Sequence, residues 1–148
     1  MPVYELIYVS RAVVDLTGGE LETLIGPSRD LNAHADITGM LLYVHDEPAH
    51  EGFFVQLLEG PQESVERTYE RIRHDALHTD VTLVQRGATG ARSFGGWRMR
   101  LATTTTDAVL PLVVGDDVKR MTSKDTFTLL KDTFVSRALL TAETVRAG

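Results

Sequence analysis

Residues 52–61 read GFFVQLLEGP. Large apolar side chains fill Phe53 to Leu58, as in a strand buried on both faces, and Gly60-Pro61 closes the run. One residue does not fit: Gln56 sits in the middle, and a primary amide brings two donors and an acceptor that must find partners. Working outward, ITGMLLYV (37–44) has the same apolar character, so the polar stretch HDEPAHEG between the two reads as the turn of a hairpin. On the other side Pro61 opens a helix in which Val65, Tyr69 and Ile72 recur at i, i+4 and i+7, while Glu63, Glu66, Glu70 and Arg73 face water. Farther out, VYELIYVS (3–10) is a first strand. A helix follows from Thr17, its cap, to about residue 33, with Leu21, Leu24 and Ile25 on its apolar side. Gly26-Pro27 predicts a kink or break in it, because proline removes a backbone donor. VTLVQRG (81–87) and WRMRLA (97–102) supply two more strands. The order β-α-β-β-α-β-β, with helices long enough to cross a sheet, predicts a ferredoxin-like α/β (α+β) sandwich: a mainly antiparallel sheet with both helices on one face.

The chain has 148 residues, 43% apolar and 24% charged, enough for one domain with a proper core. Residues 1–102 form that domain in this reading. The remainder, 103–148, opens with a polar TTTTD link and ends in an amphipathic helix from Ser123 that places Phe127, Leu130, Phe134 and Ala138 along one stripe. A net charge of −6 and the lack of a Lys/Arg stripe argue against direct nucleic-acid binding. No cysteine is present, which removes disulfides, thiolate catalysis and cysteine-held metal. No apolar run approaches the ~18 residues of a membrane helix, so the expected setting is the cytoplasm.

In the predicted sheet the first and third strands are neighbours. Period-two alternation puts Tyr8 on the face of Tyr4 and Leu6, and Gln56 on the face of Phe54 and Leu58, so a phenol and an amide can meet in the core. They either satisfy each other or leave a bonding site over for a ligand. Asn32, near the end of the first helix, is a third polar group, or simply a helix-terminal asparagine. Trp97 and Met99 alternate to one face of the last strand. His45, His50 and Glu51 match no metal-ligand spacing and read as a solvated loop. No phosphate loop or nucleophile elbow occurs, and no catalytic constellation is nominated. An acylphosphatase-type hydrolase would need an arginine in a glycine-rich cradle after the first strand, and Arg11 in SRAVVDLTGG is not so set.

With Tyr8, Asn32, Gln56, Trp97 and Met99 in view, the sequence resembles the BLUF domains, blue-light sensors that use flavin. The likeness covers residues 3 to about 102 and is carried by LIYVS, SRDLNAHADITGMLLY, FFVQLLEGP, YERIRHDALH and FGGWRM in shared order and spacing. The resemblance implies a non-covalently held FAD, with FMN possible, standing between the two helices. Asn32 would bond the ring's carbonyl and N3 edge with Ser28 nearby. Leu24 and Ile72 would pack on its faces, Arg71 and Asp75 would lie beside the other carbonyl, and His78 would complete the binding set. Gln56 would bridge Tyr8 to the N5 and O4 edge. On excitation Tyr8 would give up an electron and, through Gln56, a proton. The recombined state would keep a rotated or tautomerised amide that shifts absorption to the red. Trp97 and Met99 would relay the change to the C-terminal helix.

The resemblance implies a photoreceptor that is not an enzyme, assembles as a dimer or larger homo-oligomer, and signals through an unidentified partner protein. The alternative is a flavin-free ferredoxin-like regulatory module. Four features depart from the family pattern: Leu31 and Leu77 where many relatives are polar, Asp36 where glycine is usual before ITG, and the Gly26-Pro27 interruption.

Overall fold

A computed structural model describes residues 2–46 and 50–105. Its elements are β1 (Val3–Ala12), α1 (Gly18–Ala35), β2 (Thr38–Asp46), β3 (Glu51–Gly60), α2 (Gln62–Arg73), β4 (His78–Thr89) and β5 (Arg100–Thr105). They build one five-stranded sheet in the order β4-β1-β3-β2-β5, antiparallel throughout except where β5 joins β2 in parallel. This is the ferredoxin-like α+β arrangement that the element order predicts.

Alternation along the strands divides the core. Leu6, Tyr8, Phe54 and Leu58 share the helix side with Leu21 and Ile25 of α1 and Val65 of α2. Ile7, Val9, Met40, Leu42, Val55 and Leu57 form the other side, with Phe94 against them. β3 is central and buried on both faces, as its composition requires. β2 and β3 approach so closely at Gly39 that a Cβ there would lie 2.0 Å from the Leu57 carbonyl oxygen.

α1 runs unbroken through Pro27, against expectation. A reciprocal capping box secures its start, Thr17 Oγ1 accepting from the Glu20 N–H and Glu20 from the Thr17 N–H. Asp36 ends it in a left-handed conformation, φ 59° and ψ 39°. These ends and the docked Leu21 and Ile25 hold the helix although Pro27 offers no donor for its bond. Asp36 therefore stands where glycine would be least strained, and its carboxylate pairs with Arg92 at 3.0 Å and Arg98 at 3.6 Å.

The last two strands differ from expectation in extent. β4 begins three residues before Val81, because pairing with β1 outweighs the polar His78-Thr79-Asp80. β5 starts only at Arg100 and runs through Thr105, so the threonine run pairs with Tyr43 to His45 instead of serving as a link. The amphipathic segment from Ser123 lies outside the described residues.

Candidate functional site

A cavity of about 460 Å³ opens between α1 and α2 above β1 and β3. Its floor holds Tyr8 and Gln56, which face each other in the β1–β3 register. α1 contributes Leu24, Ser28 and Asn32 to its walls, α2 and the following turn contribute Arg71, Ile72 and Asp75, and β4 contributes its first residue, His78. All nine residues expected to bind a ligand thus border one cavity. The only full charges among the lining residues, Arg71 and Asp75, are opposite, and the volume lies within the ~300–1,000 Å³ of small-molecule sites.

The Tyr8 hydroxyl donates to Gln56 Oε1, and Gln56 Nε2 donates to Met99 Sδ at 3.3 Å. Sulfur is a weak acceptor, and one N–H of the amide remains beyond these two bonds. Tyr8 is fully buried, and burial above all, aided by Tyr69 and Asp75, raises its pKa and keeps the phenol protonated. His78 lies edge-on to Tyr8 with ring centroids 6.0 Å apart, its Nδ1 2.8 Å from Ser10 Oγ. Burial lowers its pKa, with Asp75 opposing. A neutral imidazole beside a neutral phenol results.

Asn32 is buried and donates through Nδ2 to the Arg98 carbonyl at 2.8 Å, so one donor and the carbonyl oxygen of its amide remain for the cavity. Asp75 Oδ1 accepts from the Leu77 N–H at 2.9 Å, which shapes the turn into β4. Trp97 and Met99 do not share a face. Met99 is 1% exposed and touches Gln56, whereas Trp97 is 51% exposed, outside the cavity, with the Arg100 guanidinium 5.2 Å from its ring centroid. The reason is local: both precede β5, Trp97 closing a turn through its N–H bond to the Phe94 carbonyl and Met99 lying in the bend that follows, so strand alternation does not apply to them.

Sequence reasoning missed Val13 and Val14, which also line the cavity, for two apolar loop residues carry no periodic signal. It also missed Ser10, which alternation from Tyr8 would have placed on the same face. His45 bonds Asp15 at 2.9 Å, and His50 has φ 51° in the turn before β3. Among the described residues no cluster of three or more His, Asp or Glu is set to hold a metal, and no helix is long and apolar enough to cross a membrane.

An α+β sheet with two helices flanking a cleft, and a phenol–amide pair at its floor, defines a domain built to hold a small molecule. Residues 3–100 match the family described as BLUF, sensors of blue-light using FAD. The chain is 35% identical over 126 residues to the photoactivated adenylate cyclase subunit beta of Euglena gracilis, covering 82% of this chain and 14% of that protein. It is 32% identical over 96 residues to the blue light- and temperature-regulated antirepressor BluF of Escherichia coli K12, covering 65% of this chain and 22% of that one. It therefore spans about a seventh to a fifth of the length of these relatives. Among solved structures, BlsA in its photo-activated state superposes with a TM-score of 0.74 over 95% of this chain and 94% of its own at 24% identity, a likeness of fold. Klebsiella pneumoniae BlrP1 with FMN and cyclic diGMP gives a TM-score of 0.59 at 31% identity, covering 68% of this chain and 26% of that one. The chain belongs to the BLUF family of flavin-using blue-light sensors.

Proposed function

We propose that this chain is a blue-light receptor domain that holds FAD, or FMN, non-covalently in the cleft between α1 and α2 and signals by rearranging the Tyr8–Gln56 hydrogen bond. The observation that carries this reading is the Gln56 amide, bonded by Tyr8 at one end and by Met99 sulfur at the other, on the floor of a cavity large enough for a planar tricyclic ring. The residues suit such a group. Leu24 and Ile72, one from each helix, offer apolar faces; Asn32 and Ser28 offer a polar edge; Arg71 and Asp75 stand on the α2 side.

A bound flavin supplies absorption of blue light and a transient electron acceptor. Tyr8, protonated in the dark, is the donor, and its proton leaves along the bond to Gln56. Once both the electron and the proton have returned to Tyr8, the amide would be left turned, or with a proton moved from its nitrogen to its oxygen, so that its donor and acceptor ends are exchanged. The exchange costs little volume, because amide oxygen and nitrogen differ chiefly in hydrogen-bond polarity. The Met99 sulfur then loses its donor, and the change passes through the 97–105 segment toward the C-terminal residues, a partner protein and a homo-oligomeric assembly.

Purified protein is expected to be yellow, with a reversible red shift under blue light. Tyr8→Phe and Gln56→Leu should each abolish the shift while leaving the protein folded. A full reversible shift in either variant overturns the mechanism, and a colourless protein that takes up no FAD on refolding would make the chain a flavin-free regulatory module.

A further inference from the structure

The backbone carbonyls of Trp97, Arg98 and Met99 are each captured by a different donor: the Gly39 N–H at 3.1 Å, Asn32 Nδ2 at 2.8 Å and Arg29 Nε at 3.1 Å. Asn32 and Arg29 both lie on α1, and Arg29 is outside the cavity, its Nη1 bonded to Glu22 Oε2 at 3.0 Å on the helix surface. One residue, Met99, is therefore held at both ends, its sulfur by Gln56 and its carbonyl by Arg29.

We propose that Arg29 is a positioning residue that sets how long the light-induced state persists, by fixing the Met99 backbone while the Gln56 amide turns. The proposal rests on the reading of Gln56 given above. After inversion the amide oxygen faces Met99 sulfur, so two acceptors oppose each other where a donor met an acceptor before. The conflict is relieved if Met99 withdraws, and Arg29 resists that withdrawal because a guanidinium–carbonyl bond is charge-assisted and directional. Resistance raises the free energy of the turned state and hastens its decay. Arg29→Ala lets the segment yield and prolongs it.

The test uses the full chain loaded with flavin. Arg29→Ala should keep the dark spectrum and the full size of the light-induced shift, and return to the dark state about threefold or more slowly, a change within the reach of one partly exposed charge-assisted bond. Arg29→Lys, which retains a donor, should fall between the variant and the parent. In darkness, amide hydrogen exchange over residues 95–100 should quicken in Arg29→Ala, a readout independent of photochemistry. Return at the parental rate with an intact shift overturns the role of Arg29 alone. Absence of any shift in the parent sinks the Gln56 reading with it.

Discussion

His78 stands half-buried beside the Tyr8 ring, and partial desolvation holds its pKa below the ordinary histidine value. Its unfolded form takes up a proton near pH 6.5 while the folded form resists, so the unfolded chain binds more protons below that pH and stability falls as the medium is acidified. His78→Gln should flatten the rise in unfolding free energy between pH 5 and 7, read from urea titrations at several pH values. An unchanged slope would mean that the imidazole titrates alike in both states. Asp36 poses a second question at this scale, since its left-handed φ of 59° favours glycine but its carboxylate meets two guanidiniums. Relief of the backbone, about 1 kcal/mol, nearly offsets two exposed ion pairs of about 0–1 kcal/mol each, so Asp36→Gly should shift stability by less than ~1 kcal/mol. Asp36→Val, losing both pairs while keeping a β-branched side chain at positive φ, should cost about 2 kcal/mol or more. Both are read from denaturation midpoints.

At the scale of elements, Pro27 stands in the middle of α1 and leaves the Thr23 carbonyl without its helical donor. Pro27→Ala restores that bond at an exposed site and should raise stability by about 1–3 kcal/mol, seen as a higher urea midpoint at constant slope. No gain would show that the unfolded-state stiffening by proline matches the loss. The helices and the first three strands are legible in the sequence because their apolar periods are long and their starts carry signals, Thr17 before α1 and Pro61 before α2, although the break expected at Pro27 does not occur. β4 and β5 were misplaced at their ends because both are edge strands, where partner pairing rather than composition decides extent. The same limit explains Trp97 and Met99. Period-two alternation does not reach residues ahead of β5, and the exposures of these two diverge.

For the whole molecule, one buried carboxylate joins distant parts of the chain. Glu59, at the end of β3 and 0% exposed, accepts from Thr38 Oγ1 at 2.9 Å, the Ser93 N–H at 2.7 Å and the Phe94 N–H at 2.6 Å. It thereby ties the β4–β5 connection to the sheet and seats Phe94 against the core side away from the helices. Glu59→Ala removes three acceptor contacts and leaves buried donors unmet, at a cost of about 3 kcal/mol or more in urea-monitored stability. A loss under ~1 kcal/mol would mean that water or a neighbour replaces it. Nothing in the sequence marked Glu59, because a strand-end glutamate ordinarily reads as solvated. By contrast, Tyr8 and Gln56 could be paired from strand order and alternation alone, which require no knowledge of loops.

The parallel pairing of Thr103, Thr104 and Thr105 with Tyr43, Val44 and His45 bears on anyone wishing to splice this sensor onto a new output. A fusion junction cut after residue 102 would amputate three rungs of the outermost ladder and bare the rim of its neighbour to stray aggregation. Grafts should begin beyond Thr105, so that the added module inherits an intact strand as its stalk.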